Sequence, residues 1–193
     1  MTIVLWNIRS AWNVGSIIRS CDAVGADVIL VGYTPRPEGL TLKAVVKTAI
    51  GAEKNVKWQA FEHYQEVLQA LPNYQHWGIE INQESQDILE FLDESKTRTF
   101  KDDNHLDKSK NNQNNKENGL EANHEGNQEN NYEIKASWEN TCLWFGNEIT
   151  GLPDEVGQNL TGQLHLPMKG QKESLNVSNT VTAAAYLWMW GTK

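Results

Sequence analysis

Short, continuously apolar strands alternate with helices along most of this chain, and few folds accept that alternation. Ile3-Val-Leu-Trp6 reads as a buried strand. Asn13 to Val24 reads as a helix with Ile17, Ile18, Cys21 and Val24 on one side. Val28-Ile-Leu-Val31 is a second buried strand, closed by Gly32. Leu42–Ala52 and Tyr64–Leu71 are helical in pattern, the latter stopped by Pro72, and Val56–Phe61 and Trp77–Ile81 are strands. Further on, Thr141–Phe145 is a strand, Pro153–Leu160 a short helix, Gln163–Leu166 a strand stopped by Pro167, and Leu175–Trp190 the last helix. Strands that are apolar on both faces need cover on both faces. The pattern therefore predicts an α/β fold: a parallel sheet flanked by helices.

One segment breaks the pattern. Asn104 to Asn131 holds ten Asn in 28 residues, and its only apolar side chains are Leu106, Leu120 and Ala122. It cannot bury enough surface to offset its ordering entropy. About Ser95 to Lys135 therefore reads as a low-complexity insert within a single domain spanning 1–193. The chain carries 17 basic and 25 acidic residues, a net charge of −8. Residues 91–140 hold half of that excess, so a local RNA-facing patch elsewhere remains compatible with the balance. No run of about 18 apolar residues exists. The start shows no basic region followed by an apolar run. Cys21 and Cys142 stand far apart in apolar context, which excludes a disulfide scaffold and a Cys-based zinc site and suits a reducing cytoplasm. Without a secretion signal, the sequons at Asn159 and Asn176 are accidental.

Ligands of open parallel sheets sit at the carboxyl ends of the strands. Three polar, Gly-containing segments fall there: Asn13-Val-Gly-Ser-Ile-Ile-Arg19, Phe145-Gly-Asn-Glu-Ile-Thr-Gly-Leu152, and Leu166-Pro-Met-Lys-Gly-Gln-Lys-Glu-Ser-Leu-Asn-Val-Ser178. None is a dinucleotide fingerprint, a P-loop or a nucleophile elbow, and the five His form no metal-spaced pair. Taken singly they have plain readings. Asn13 suits a helix cap or the preceding loop, and Arg19 an ordinary surface cation. Gly146 suits close approach to a ligand or a tight turn, and Ser174 an N-cap of the last helix.

Together, in this order, the segments resemble the three signature motifs of the SPOUT superfamily of RNA methyltransferases, in its TrmH (SpoU) branch. These are Asn-x-Gly-x-x-x-Arg after the first strand, Gly-x-Glu-x-x-Gly-Leu, and Pro-Met leading to Ser-Leu-Asn-Val-Ser. The resemblance covers about 1–92 and 138–193. It implies a C-terminal deep trefoil knot, a rare exception to the rule against threading. It also implies S-adenosylmethionine bound in the knot loops, lined by Gly146, Leu166 and Ser174, with Leu175, Met168 and Ile81 as further lining, and no metal. The implied reaction is methyl transfer to an RNA ribose 2′-oxygen. The family's catalytic arginine matches Arg19. Because a guanidinium stays protonated, Arg19 is expected to clamp a phosphate and stabilise the forming alkoxide rather than act as a base. Asn13 would orient Arg19 or the ribose, Ser174 and Asn176 would support the same group, and Glu148 would hold the loop or the arginine.

The resemblance further implies a homodimer packed through the first and last helices, each site drawing on both chains. The last helix agrees: Val177, Val181, Ala184, Ala185, Leu187, Trp188, Met189 and Trp190 carry more apolar surface than one face requires. Many relatives have an extra RNA-binding domain. Here RNA grip is expected from the catalytic domain, through Arg9, Arg36, Lys43, Lys47, Lys54, Lys57, Lys169 and Lys172. Minimal members act on tRNA, so tRNA is the first expected substrate and ribosomal RNA the second. A catalytically silent SAM- or RNA-binding module is the alternative from another class, and base methylation belongs to other SPOUT branches.

Overall fold

The computed structural model describes residues 1–95 and 136–193. The expected insert therefore lies almost wholly outside the described residues. Seven strands form one parallel sheet: β1 (Thr2–Trp6), β2 (Asp27–Val31), β3 (Trp58–Phe61), β4 (Gln75–Ile79), β5 (Gln86–Asp87), β6 (Thr141–Phe145) and β7 (Gly162–His165). Their order is β3-β2-β1-β6-β4-β7-β5. The helices are α1 (Ala11–Val24), α2 (Leu42–Ala49), α3 (Tyr64–Ala70), α4 (88–95), α5 (Asp154–Gly157) and α6 (Val177–Gly191).

Alternation along the strands divides the core in two. Ile3, Leu5, Val28, Leu30, Leu143 and Phe145 face α1 and α6, meeting Val14, Ile17, Ile18, Val181, Ala184 and Trp188. Val4, Ile29, Val31, Cys142 and Trp144 face the other way, onto Val67 of α3 and Val156 of α5. Both layers are dry, which explains why the central strands read as unbroken apolar runs. The two buried thiols belong to these layers. Burial, with Asp27 adding to it, raises the Cys21 pKa, and burial pushes that of Cys142 up to about 12, so neither is a thiolate at neutral pH. No helix among the described residues is long and apolar enough to cross a membrane.

Gly15, in the first polar segment, has a packing role. A Cβ there would meet the Val45 carbonyl oxygen and Thr48 Oγ1, so α1 and α2 approach closely only because the residue is glycine. The boundaries shift from the sequence reading in instructive ways. The N-cap of α1 is Ser10, whose Oγ accepts from Asn13 N–H at 3.3 Å, so Asn13 lies inside the first turn. The N-cap of α6 is Asn176 and not Ser174. Pro153 occupies the N-cap position of α5, and α2 ends at Ala49, where Ile50 turns left-handed (φ 51°). The β5 strand and α4 have no counterpart in the sequence reading. Phe91 of α4 packs at 4.6 Å from Trp77 and stacks at 5.8 Å on Trp188, which fastens α4 and α6 to one end of the sheet.

His76 is buried in β4, with Nδ1 accepting from Trp144 Nε1–H at 3.1 Å. Its Nε2–H must then donate to the Leu71 carbonyl, 3.0 Å away. The ring is therefore held neutral. Burial lowers its pKa below the ordinary 6.5, and the bond to Leu71 opposes this only in part. The unfolded chain takes up a proton at about pH 6.5 that the folded ring resists. Stability should therefore fall as pH drops through 6.5 and level off below the folded pKa. Denaturant midpoints measured from pH 7.5 to 5.0 check this, and a His76→Asn protein should lose that part of the slope.

Candidate active site

The three polar segments meet at the carboxyl edge of the sheet. Glu148 reaches from the loop after β6 to the start of α1. Its Oε2 accepts from Arg9 N–H at 2.9 Å, and its Oε1 from Ser10 N–H at 3.1 Å and from Asn13 Nδ2 at 2.8 Å. The carboxylate thus satisfies backbone donors at a helix start, where the helix dipole also favours negative charge. Partial burial opposes its ionisation. The bonds from Arg9, Asn13 and Ser10 outweigh that and hold the carboxyl below the ordinary 4.5, so it is ionised throughout the neutral range.

The chain of bonds continues. Asn13 Oδ1 accepts from Asn176 Nδ2 at 3.3 Å, and Asn176 Oδ1 accepts from Ser178 N–H at 2.9 Å and Ser178 Oγ at 2.6 Å. One end of this relay is a carboxylate that only accepts, and the other is a backbone N–H that only donates. Both amides therefore have a single permitted orientation. Asn13, Glu148 and Asn176, one from each segment, form one connected unit.

A cavity of about 380 Å³ opens beside the relay. Its walls include Ile79, Ile81, Phe145, Leu166, Met168, Leu175 and Val177, with Gly146, Glu148, Ser174, Asn176 and Thr180 among its other lining residues. All six residues expected to line a cofactor pocket, Ile81, Gly146, Leu166, Met168, Ser174 and Leu175, do line it. At Gly146 a Cβ would collide with the backbone of Gly151 and Leu152, so the loop closes on itself only with glycine. Asn147 Oδ1 accepts from Ile149 N–H and Thr150 N–H, both at 2.9 Å, which stiffens the same loop.

Glu80 is a residue the sequence reading missed. Its Oε2 accepts from Leu152 N–H at 2.9 Å, its own N–H donates to the Leu164 carbonyl at 3.0 Å, and its carboxylate lies against Gly151 (φ 66°). One acid therefore ties the ends of β4 and β7 to the loop after β6. An acidic residue directly after an apolar strand is the only signal it leaves in the sequence. His165 also lines the cavity, with Nδ1 3.0 Å from Ser85 Oγ.

Arg19 stands apart. It is exposed on α1, does not line the cavity, and has no hydrogen bond or ion pair among the described residues. Six residues of helix carry it about 9 Å along the axis from Asn13 and about 120° round it, so one chain cannot join the two. Within one chain Asn13 bonds to Glu148 and Asn176 and not to Arg19, and Glu148 bonds to Arg9, Ser10 and Asn13 at the start of α1. Ser174 lies on the exposed strip before α6, at the cavity, and neither caps the helix nor touches Arg19. Among the described residues no cluster of His, Cys, Asp and Glu could hold a metal ion. Of the expected RNA-gripping cations, Arg36 pairs with Glu62 at 2.7 Å, and Lys47 sits 4.6 Å above the Trp12 ring.

A doubly covered parallel sheet with a cavity and a polar relay at its carboxyl edge defines an α/β protein with a ligand-sized site at that edge. The chain belongs to the SpoU rRNA methylase family, whose model matches residues 1–186. No curated protein matches the sequence. Among solved structures, the SpoU methyltransferase AviRb from Streptomyces viridochromogenes in complex with AdoMet is similar at 19% identity and TM-score 0.68, over 98% of this chain and 59% of that one. The A. aeolicus TrmH/SpoU tRNA modifying enzyme is similar at 18% identity and TM-score 0.66, over 98% and 74%. A structure reported for the 2-OH methylation of C/U34 on tRNA is similar at 20% identity and TM-score 0.65, over 96% and 91%. The chain thus spans little more than half the length of the Streptomyces protein.

Proposed function

We propose that this protein is an S-adenosylmethionine-dependent RNA methyltransferase acting on a ribose 2′-hydroxyl, of tRNA in the first place and of ribosomal RNA in the second, and working in the cytoplasm. The observation that carries the reading is the relay Glu148–Asn13–Asn176, which joins all three motif segments at the mouth of the cavity. Family membership supports the same reading, as does the AdoMet carried by the Streptomyces relative. The cavity suits the cofactor. Its volume falls in the usual range for small-molecule sites, and a lining that mixes apolar side chains with Glu80, Glu148, His165 and Asn176 suits an adenine and a short charged tail. Gly146, Leu166, Met168 and Leu175 would hold the ring, and Ile81 and Ser174 the remainder. We include the C-terminal knot in this reading.

When bound, S-adenosylmethionine supplies an electrophilic methyl group on a sulfonium. The chain must then place a ribose oxygen in line with it and stabilise the alkoxide as its proton leaves to solvent. Positioning supplies a large share of such a rate. A guanidinium supplies charge without needing to lose a proton. Within one chain no cation reaches the cavity mouth from α1, so we assign this role to Arg19 of a second copy. The exposed faces of α1 and α6 are contiguous, with Ser20 Oγ 2.7 Å from Thr182 Oγ1, and α6 leaves Tyr186 and Trp190 exposed beside them. A homodimer through these faces would bring Arg19 to the partner's cavity.

Labelled S-adenosylmethionine incubated with total RNA, resolved by size and then by alkali, tests the proposal. Label in the tRNA band at alkali-resistant positions is the expected result. Label in ribosomal RNA keeps the chemistry and changes the substrate. Alkali-sensitive label refutes ribose transfer, and cofactor binding without label on any RNA favours a silent binding module.

A further inference from the structure

Trp12 occupies the first turn of α1, yet its ring is 48% exposed. The Lys47 ammonium lies 4.6 Å from the ring centroid, and the half-exposed residue still offers ring surface to a second flat group. The backbone beneath the ring is firmly held, since the Trp12 carbonyl accepts from Thr48 Oγ1 at 2.9 Å in the tight α1–α2 contact at Gly15. The next residue, Asn13, belongs to the relay at the cavity mouth. In a chain of net charge −8, α2 carries Lys43 and Lys47 and no acid.

We propose that Trp12 with Lys47 forms a stacking platform for an unpaired nucleotide of the RNA substrate adjacent to the target ribose. An aromatic face accepts any base, and the ammonium beside it meets the neighbouring phosphate. The platform supplies grip next to the cavity. It rests on the RNA methyltransferase reading above.

The test uses a short labelled oligouridylate and an abasic oligomer of equal length and charge. The intact protein should bind the oligouridylate about tenfold more tightly than the abasic oligomer. Trp12→Ala should erase that preference and raise the KM for RNA about tenfold, with cofactor affinity and kcat at saturating RNA little changed. Trp12→Phe should keep most of the preference. Lys47→Met should lower the salt slope of binding by about one. Equal affinity of the intact protein for the two oligomers overturns the platform, as does a Trp12→Ala protein with unchanged preference and KM. A Trp12→Ala protein that sediments as a smaller species with unaltered RNA affinity assigns the ring to an interface between copies, and also overturns it. If the intact protein neither binds oligouridylate nor methylates any RNA, the underlying reading fails as well. Methylation with a normal KM in Trp12→Ala would sink the platform alone.

Discussion

An Arg19→Ala protein should bind S-adenosylmethionine as tightly as the parent and transfer its methyl group at least about a hundredfold more slowly. The side chain is exposed and has no bond among the described residues, so its removal should change stability by no more than about 0.5 kcal/mol. The loss would instead fall on the transition state, where an anionic oxygen develops and a fixed cation is worth most. Single-turnover rates at saturating cofactor measure the step, and calorimetric titration measures the affinity. Arg19→Lys should recover only part of the rate, because an ammonium lacks the planar fork that grips phosphate and ribose oxygens together. Mixing Arg19→Ala chains with chains altered at Gly146 should restore transfer if each site draws on two copies. Reduced cofactor affinity with normal transfer at saturation would remove Arg19 from the chemistry.

The second large effect is expected at Gly146. An added methyl group would overlap the backbone of Gly151 and Leu152, and backbone cannot step aside as a side chain can. The loop must shift, and with it Glu148 and the floor of the cavity. Gly146→Ala should therefore cost about 1–3 kcal/mol of stability, as overpacking does. Cofactor affinity should drop by at least about tenfold, as expected when about 1.4 kcal/mol of binding is lost. Gly170→Ala is the matched control, since a Cβ there meets open space and should change neither quantity by more than about 0.5 kcal/mol. Equal melting temperatures and affinities for both variants would show that the loop is not the tight closure described.

The sequence made the central sheet legible because β1, β2 and β6 are buried on both faces and so lack polar alternation. The segment 86–95 was harder. Gln86–Asp87 is a two-residue polar edge strand, and the helical spacing of Ile88, Phe91 and Leu92 runs straight into polar sequence. The expected cavity lining came from the resemblance of three motif segments to the family's signatures. The individual bonds could not be located this way. Ser10, Asn13, Ser174 and Asn176 all have capping chemistry, and the choice among them depends on a carboxylate 135 residues away from Asn13. Glu80 was hidden for the same reason, since its partner Leu152 lies 72 residues on. Local rules carry no record of such partners. Arg19 is the converse case: its residue type is informative, but among the described residues it has no bonded neighbour.

Ser95 and Ser137 lie on either side of the run 96–135. Ser95, the last described residue of α4, is buried, and the Ser137 carbonyl is held by Trp188 Nε1–H at 2.8 Å and Thr141 Oγ1–H at 2.7 Å, just before β6 begins. Ser137 thus lies at the amino edge of the sheet, where β6 starts beside Thr2, whereas the cavity lies at the carboxyl edge. Each doubling of a connection's length costs only about 0.6 kcal/mol of closure entropy. A change of length between these two anchors therefore costs little, and the anchor at Ser137 stands a strand's length from the cavity.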